Sequence, residues 1–151
     1  MAIREVVKNP DPTLRKVCRP VEKFDEKLAQ LLDDMAETMY DMDGCGLAAP
    51  QIGILRRICV IDVGEGLIEL INPEIVKTWG SQNESEGCLS CPGVWGVTDR
   101  PRKVKVRFFD RNGEEYEVVG EGLLARALCH EIDHLDGVLI IDKVISFQNE
   151  G

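Results

Sequence analysis

The segment Cys129-His-Glu-Ile-Asp-His-Leu-Asp-Gly137 contains the pattern HExxH, which constrains the fold more than any other stretch of the chain. On an α-helix, side chains four residues apart lie one turn above each other, so His130 and His134 can reach the same metal ion. They are the only two histidines in the sequence, and Glu131 lies between them. The pattern predicts a helix near the C-terminal end that carries two metal ligands. A further ligand has to come from elsewhere in the fold.

The position of the third ligand can be narrowed by elimination. The metalloprotease pattern HExxHxxGxxH fits until Ile140, which stands in place of its third histidine. Other HExxH enzymes take a glutamate from a later helix, but few residues remain before Gly151 for such a helix. The third ligand is therefore expected upstream, where the segment Glu86-Gly-Cys-Leu-Ser-Cys-Pro92 offers the thiols of Cys88 and Cys91.

The number of cysteines that bind decides between two kinds of site. Cys88 and Cys91 together would complete a closed Cys2His2 zinc site with a structural role, whereas one of them would leave a coordination position open for catalysis. Pro92 favours extended backbone at Cys91, and residues three apart in an extended segment point to opposite faces. We therefore predict that the two thiols diverge and that only one binds the metal. The alternatives are a zinc-stabilised binding module and a zinc endopeptidase.

Glu131 favours the open site. On the predicted helix it lies on the same stripe as Leu124, Leu128 and Leu135, so its carboxyl group is expected to be partly desolvated. Desolvation raises the pKa of a carboxyl group, which suits it to take a proton from a metal-bound water and to pass it to a leaving group. A purely structural site has no need of this residue.

An N-terminal helix is predicted from Asp25 to about Met42, where apolar residues recur at helical spacing. Asp25 can cap its first turn, and Gly44 can end its last turn. The glycine-rich run 44–53 follows this helix. We expect the run to be too small and flexible to form an element of the core.

The rest of the chain combines short strands with the helix that carries HExxH. This helix is expected from about Gly122 to Asp136, with Gly137 as the left-handed residue after it. Strands are predicted at residues 58–63, 67–71, 75–79, 104–109 and 116–119, with a hairpin turn at 110–113. The pattern predicts one α+β domain over residues 1–151. Antiparallel or mixed sheets would pack around the C-terminal helix, with the N-terminal helix beside them.

The charge balance argues against a nucleic-acid partner. The formal net charge is −9, and an acidic surface repels a polyanion unless it carries a basic patch. The basic cluster at residues 100–107 alternates like a strand with one wet face, so it is expected to be solvated sheet surface. We therefore expect no direct binding of nucleic acid.

The N-terminal residues lack the apolar stretch of a signal peptide, and no apolar run reaches the ~18 residues that span a bilayer. A cytoplasmic protein without membrane contact is expected. In a reducing compartment the six cysteines are expected to remain thiols.

Three segments together resemble the peptide deformylase family: Gly44-Cys-Gly-Leu-Ala-Ala-Pro-Gln51, Glu86-Gly-Cys-Leu-Ser90 and His130-Glu-Ile-Asp-His134. They occur in the family's order and at its spacing, and the similarity extends from Asp11-Pro-Thr-Leu-Arg15 to Gly137-Val-Leu139. The resemblance implies a bacterial or organellar metallohydrolase that acts on a linear amide. It would remove the N-formyl group from the N-terminal formylmethionine of nascent polypeptides and release formate.

The resemblance also implies roles for individual residues. Cys88, His130 and His134 resemble the three ligands of one divalent metal, with Fe(II) as the expected ion and zinc, nickel or cobalt as substitutes. Glu131 resembles the general acid and base. Metal-bound hydroxide would then attack the formyl carbon, and Glu131 would pass the proton to the departing amine.

Further residues are implied around the substrate. The side chain of Gln51 and the backbone N–H of Leu89 resemble the donors that hold the developing oxyanion. By the same resemblance, the residues that contact substrate or line an apolar methionine pocket are Gly44, Cys45, Gly46, Leu123 and Ala127. The other thiols are expected to serve packing: Cys18, Cys59, Cys91 and Cys129.

Two features depart from many members of the family. The sequence ends at Ser146-Phe-Gln-Asn-Glu-Gly151 without a long basic helix, so docking on the ribosome by such a helix is not expected. Transient proximity to the ribosome still follows from a nascent-chain substrate. Trp95 lies near a position where some members have an arginine that contacts substrate, and we expect it either to cover the substrate groove or to serve packing.

Overall fold

The computed structural model describes residues 2–148 of the 151-residue chain. Its helices are α1 (Glu26–Asp41) and α2 (Leu123–Leu135), and short 3-10 turns occur at Pro12–Arg15, Ala49–Ile52 and Ile140–Asp142. The strands, in chain order, are β1 (Gly46–Ala48), β2 (Ile58–Ile61), β3 (Ile68–Trp79), β4 (Gln82–Cys88), β5 (Cys91–Arg100), β6 (Lys103–Phe109), β7 (Glu115–Glu121) and β8 (Val144–Gln148).

The strands form two sheets, and every pairing between these strands is antiparallel. The larger sheet has the order β1-β2-β3-β6-β7, and the smaller sheet has the order β4-β5-β8. The chain leaves the larger sheet after β3, builds the β4–β5 hairpin, and returns with β6. The predicted α+β class is confirmed, with antiparallel rather than mixed sheets.

The two helices pack on opposite faces of the larger sheet. Strand β2 reads Ile-Cys-Val-Ile and is buried along its whole length, as expected for a strand covered on both sides. Ile58 and Val60 belong to the apolar cluster around α1, whereas Cys59 and Ile61 belong to the cluster around α2. Alternate side chains of one strand therefore hold both helices in place.

Helix α1 follows its sequence pattern closely. Asp25 caps it by accepting a hydrogen bond from Leu28 N–H at 3.0 Å. Its last turn is closed by Asp43, which has φ of 54°, while Gly44 N–H donates to Met39 C=O at 3.0 Å. Gly44 was predicted to end the helix. The left-handed residue is instead Asp43, because an Asp tolerates this conformation and the closing pattern starts one residue earlier.

Helix α2 lies where the sequence placed it. Gly122 precedes it with φ of 58°, and Gly137 follows it with φ of 75°. A Cβ at Gly137 would lie 2.5 Å from Arg15 C=O, so both conformation and space require glycine there. Leu128 and Leu135 of this helix are fully buried in the sheet cluster. This packing fixes the face of the helix that carries the HExxH residues.

The glycine-rich run 44–53 is part of the core, and the expectation that it was too small and flexible was wrong. It forms β1 and the 3-10 turn Ala49–Ile52, and Leu47, Ala48 and Ala49 are fully buried. Strand β1 pairs with β2 and contacts both helices. Small side chains allow a strand to fit between two helices. The same small residues had been taken as a sign of flexibility.

The strand predictions need two further corrections. The predicted strands 67–71 and 75–79 are one strand, β3, whose register against β6 shifts between Ile71 and Glu74. Strands β4, β5 and β8 were not predicted. Strand β4 reads Gln-Asn-Glu-Ser-Glu-Gly-Cys and has no apolar alternation from which a strand could be recognised.

The hairpin between β4 and β5 shows that the predicted divergence of the Cys88 and Cys91 side chains was wrong. Cys88 and Cys91 are register partners, and the turn between them consists of Leu89 and Ser90. The prediction that the two thiols diverge assumed that one extended segment continues through both residues. The chain reverses between them instead, so their side chains lie on the same face of the hairpin.

The basic cluster 100–107 is confirmed as solvated sheet surface except at Arg100. Lys105 and Arg107 form ion pairs with glutamates of β7, while Val104 and Val106 between them are fully buried. Arg100 departs from this pattern, because its side chain is 4% exposed. Within residues 2–148, no helix has the length and apolar character needed to cross a membrane.

Candidate metal centre

The three predicted ligands come together from two elements of the fold. His130 and His134 project from α2, and Cys88 is the last residue of β4. Cys88 Sγ lies 3.3 Å from His134 Nε2, and the Nε2 atoms of the two histidines are 3.2 Å apart. The three ligand atoms lie within 4.8 Å of one another. This is the single such group of His, Cys and acidic residues found in the described part of the chain.

This donor set fits a divalent transition metal. Around a tetrahedral ion with bonds of about 2.0 to 2.3 Å, ligand atoms lie roughly 3.3 to 3.7 Å apart. The distances from His134 Nε2 to the other two donors are close to this range. Three donor atoms that converge in this way can share one cation. A thiolate and two imidazoles suit zinc, iron, nickel and cobalt.

Glu86 fixes the orientation of His130. Its Oε1 accepts a hydrogen bond from His130 Nδ1–H at 2.7 Å, which leaves the lone pair of Nε2 directed toward Cys88 and His134. Such an acceptor behind a metal-binding histidine fixes the tautomer and increases the basicity of the ring. Glu86 is the first residue of the segment 86–92, but no role was predicted for it. No local signal could have revealed its role, because β4 has no apolar alternation from which a strand could be recognised.

Glu86 is itself held by buried partners. Arg100 donates to both carboxylate oxygens, with Nη2 2.8 Å from Oε1, and Thr98 Oγ1–H donates to Oε2 at 2.7 Å. Arg100 also donates to Asp133 of α2 at 2.5 Å, so it joins β5 to the helix. Burial raises the pKa of Glu86, but hydrogen bonds from His130 and Arg100 outweigh this effect and lower the pKa to about 2. Glu86 therefore remains charged at neutral pH.

Glu131 has the environment that the helix pattern predicted. The residue is 4% exposed, and burial raises the pKa of its carboxyl group to about 7, although the neighbouring His130 partly opposes the shift. Its Oε2 lies 3.8 Å from His130 Nε2, and its buried Oε1 has no hydrogen-bond partner among the described residues. A carboxyl group with a pKa near 7 can both accept and release a proton under physiological conditions.

Burial also acts on the ligand atoms. It lowers the pKa of His134 well below its ordinary value, and the nearby His130 lowers it further, so the ring is neutral and able to bind a metal. The pKa of the Cys88 thiol is raised by a side-chain hydrogen bond with Cys91 and then by burial. A bound cation acts in the opposite direction, because a thiol that coordinates a metal is deprotonated.

The two predicted oxyanion donors both neighbour Cys88, Gln51 in space and Leu89 in sequence. Gln51 is 1% exposed, and its Oε1 accepts a hydrogen bond from Ala48 N–H at 2.9 Å. Its Nε2 donates to Ser90 Oγ at 3.0 Å and lies 3.7 Å from Cys88 Sγ. Leu89 follows Cys88 in the two-residue turn, outside the paired strands.

A cavity of about 670 Å³ opens beside the metal ligands. Cys88, His130 and Glu131 border it, together with all five residues that were predicted to surround the substrate: Gly44, Cys45, Gly46, Leu123 and Ala127. Trp95 also borders the cavity, is 44% exposed, and packs so closely on Gly87 that a Cβ there would lie 2.9 Å from its ring.

Arg126 lines the same cavity, although it was not predicted from the sequence. It donates to Ser85 C=O at 3.1 Å. Its spacing of four residues from His130 on the helix could have placed it on this face.

Comparisons with known proteins agree on one family. The family model described as polypeptide deformylase matches residues 3–150. A peptide deformylase from Caldanaerobacter subterraneus subsp. tengcongensis is 64% identical over 147 residues, which cover 97% of this chain and 92% of that protein. A peptide deformylase from Alkaliphilus metalliredigens is 61% identical, over 96% of this chain and 99% of that protein.

The fold gives the same result. A crystal structure of peptide deformylase from Thermotoga maritima matches with a TM-score of 0.94 and 45% identity, over 95% of this chain and 99% of that chain. A crystal structure of a peptide deformylase from Legionella pneumophila matches with a TM-score of 0.92 and 49% identity, over 95% of this chain and 86% of that chain. The chain therefore belongs to the polypeptide deformylase family of metal-dependent hydrolases.

Proposed function

We propose that this chain removes the formyl group from the N-terminal formylmethionine of nascent polypeptides and releases formate. The observation that carries the proposal is the convergence of Cys88, His130 and His134 within 4.8 Å beside the buried carboxyl group of Glu131. An open site of three ligands, with an acid–base group next to it and a cavity in front of it, suits hydrolysis of a small exposed amide.

Cys88, His130 and His134 would hold one divalent metal. Fe(II) is the proposed native ion, and zinc, nickel and cobalt suit the same donors. When bound, the ion supplies Lewis acidity, which lowers the pKa of water from about 15.7 to about 7 and polarises the formyl oxygen. A thiolate ligand would also make the site sensitive to oxidants.

Glu131 would move the proton. Its raised pKa and its unpartnered Oε1 support a role in which it takes a proton from the attacking water and delivers it to the departing amine. Gly46 provides the space for this carboxyl group, because a Cβ at that position would lie 2.5 Å from Glu131 Oε2. Gly46 was predicted only to contact substrate or to line the methionine pocket; it also leaves room for the Glu131 side chain.

Gln51 and Leu89 would hold the negative charge that develops on the formyl oxygen. Gln51 is oriented before substrate binds, because its Oε1 is fixed by Ala48 N–H and one Nε2 hydrogen by Ser90 Oγ. The other Nε2 hydrogen can point toward the site near Cys88. The N–H of Leu89 lies in the adjoining turn and would be the second donor. Oriented donors stabilise an oxyanion without reorganisation during the reaction.

The cavity would receive the formylmethionine side chain. Leu123 and Ala127 lie one turn apart on α2 and give it an apolar wall, while Gly44, Cys45 and Gly46 line it from the segment that includes β1. Trp95 borders the same cavity and would cover the bound peptide. The methionine preference itself comes from the family resemblance.

The cellular setting is part of the same proposal. The whole chain, residues 1–151, would act as one catalytic domain in the cytoplasm. Its partners would be formylated nascent chains near the ribosome, with no nucleic acid bound directly. The net charge of −9 supports the last point.

A formate assay tests the proposal. Protein purified without oxygen and loaded with Fe(II) or Ni(II) is incubated with formyl-Met-Ala-Ser, and formate and free amine are measured. Equimolar formate and amine are expected, with no internal peptide cleavage. Cleavage of an unformylated peptide would instead indicate a zinc endopeptidase. Formate production no greater than that of metal-free protein would refute the proposal.

A ligand comparison tests the closed-site alternative. Cys88→Ser is expected to release the metal, whereas Cys91→Ser is expected to retain it. Equal loss from both variants would support a structural site with two cysteines. Metal content per chain gives this result without any activity measurement.

A further inference from the structure

Cys88 has a neighbouring thiol, Cys91, that the proposed reaction does not use. They are register partners across the β4–β5 turn, so their side chains lie next to each other on one face of the hairpin. Cys91 is 4% exposed and packs with Leu14, Leu139 and Ile140. It lies outside the group of three ligand atoms within 4.8 Å. Cys91 is therefore a second thiol held against a metal ligand without being a ligand itself.

The backbone geometry of this pair permits a disulfide. Directly opposed residues of antiparallel strands have Cα atoms about 4.5 or 5.5 Å apart. Both values fall within the range of about 4.4 to 6.8 Å that disulfides require. Opposed side chains also point to the same face of the hairpin. Opposed Cβ atoms lie about 4.5 to 5.5 Å apart, at or just beyond the roughly 3.5 to 4.5 Å of a disulfide, so the bond needs side-chain rotation and a small approach of the two strand ends.

The two thiols differ in their access to solvent. Both thiols border the cavity, but Cys88 is half-buried, so a small oxidant can reach its sulfur along the substrate path. Cys91 is only 4% exposed and packs with Leu14 and Leu139. Cys88 would therefore be oxidised first, and the buried Cys91 thiol would then react with oxidised Cys88.

We propose that Cys91 is a resolving cysteine that converts oxidised Cys88 into a reversible disulfide. The inference rests on the proposed function for one point, namely that Cys88 is a metal ligand. The disulfide sulfur is no longer an anionic donor, so the metal would be left with two imidazoles and would dissociate. Reduction restores the thiolate and the site.

The chemistry balances with a peroxide as oxidant. The Cys88 thiolate attacks one oxygen of hydrogen peroxide, the O–O bond breaks, and Cys88 becomes a sulfenic acid as hydroxide leaves. The Cys91 sulfur then attacks Cys88 Sγ, the S–O bond breaks, and the oxygen departs as water with the Cys91 proton. The two sulfur atoms together lose two electrons, and the peroxide gains them. A dithiol reverses the process by exchange and is itself oxidised to a disulfide.

Without Cys91, the sulfenic acid has no cross-strand thiol to capture it. Further peroxide would then carry Cys88 to sulfinic or sulfonic acid, which a dithiol does not reduce. The pair would therefore decide whether oxidation of the metal site is reversible. Cys45 also borders the cavity, but it lies in the loop before β1 and is not a register partner of Cys88.

Peptide mass analysis of peroxide-treated protein tests the inference. Zinc-loaded wild type, Cys91→Ser and Cys45→Ser are treated with hydrogen peroxide, alkylated and digested with trypsin. Cys88 and Cys91 are the only cysteines in residues 78–102, which trypsin leaves as one peptide because Pro101 follows Arg100. A disulfide between them makes this peptide lighter by two hydrogen atoms and blocks its alkylation. Zinc release is followed in parallel with a chromogenic chelator.

Wild type and Cys45→Ser are expected to form this internal disulfide, to release zinc as it forms, and to bind zinc again after dithiothreitol. Cys91→Ser is expected to lose zinc irreversibly, with Cys88 as sulfinic or sulfonic acid. Irreversible oxidation of Cys88 in wild type, or a cross-link from Cys88 to Cys45, would overturn the inference. A disulfide that forms without zinc release would uphold the cysteine pair and contradict Cys88 as a ligand, so the two failures are distinguishable.

Discussion

Gly46 and Glu131 are in such close contact that a single added carbon at position 46 would lie 2.5 Å from Glu131 Oε2. Strand β1 therefore provides the space that the carboxyl group of α2 occupies. Gly46→Ala is expected to displace this carboxyl group while the three metal ligands stay in place. Because general acid–base catalysis contributes about 10²- to 10⁴-fold, kcat should fall by roughly 10²-fold or more. Steady-state kinetics and metal analysis of the same sample measure both effects.

Gly64→Ala is the matched control for this variant, since a Cβ at Gly64 would meet no heavy atom within 4 Å. It is expected to cost some stability, because φ at Gly64 is 102°, and to leave kcat near that of the wild type. An unchanged kcat in Gly46→Ala would contradict the role of this contact.

The hydrogen bond from His130 to Glu86 predicts a change in metal affinity. Glu86→Gln keeps an oxygen acceptor but removes the negative charge, so the ring of His130 becomes a weaker donor to the metal. Loss of such a partner lowers metal affinity by about 10- to 100-fold. Competition with a chelator of known affinity measures this effect. Asp133→Asn is the control, since the Asp133 carboxylate pairs with Arg100 and, in the part of the chain that the structure describes, has no hydrogen bond or ion pair with His130; it should weaken affinity much less.

The lowered pKa of Glu86 also predicts that acid destabilises the metal-free protein. Its pKa is lowered from 4.5 to about 2, so its stabilising effect is complete above pH 4.5 and is lost as the pH falls from 4.5 toward 2. The shift corresponds to about 3 kcal/mol of unfolding free energy. Urea unfolding at pH 6 and pH 3 should show a larger decrease for wild type than for Glu86→Gln. Equal decreases would show that Glu86 does not titrate in this way.

The position of the Gln51 amide predicts a loss of kcat when its donor is removed, measured at equal metal content. Gln51→Glu keeps the oxygen that accepts from Ala48 N–H and removes the Nε2 donor near Cys88. Removal of one oxyanion donor is expected to lower kcat by about 10²- to 10³-fold. Ser90→Ala removes only the acceptor for the other Nε2 hydrogen and should cost much less. If both variants lose activity equally, Gln51 acts by supporting the turn and not as a donor.

The sequence was sufficient to predict the elements that follow strong periodic patterns. Helix α2, its glycine ends and the desolvation of Glu131 follow from the spacing of apolar residues around HExxH. The grouping of Cys88 with the two histidines followed from elimination and from the family resemblance. Each of these features depends on local spacing or on which residue types are present.

The features that were not predicted depend on pairing between segments that are distant in sequence or joined by a tight turn. The polar strand β4 is stabilised by its partner β5, and nothing in its own seven residues indicates a strand. Cys91 was placed wrongly because a two-residue turn was read as continuous extended chain. The burial of Arg100 likewise depends on Glu86 and Asp133, two partners that lie 14 and 33 residues away.

Formate release by wild type and by Glu131→Gln at equal metal content tests the central claim most directly. Both proteins are loaded without oxygen, their metal content is measured, and formyl-Met-Ala-Ser is supplied. Wild type is expected to turn over, and Glu131→Gln is expected to bind one metal per chain and to be slower by about 10²- to 10⁴-fold. Equal rates for the two proteins, or no formate from metal-loaded wild type, would contradict the assignment of this site.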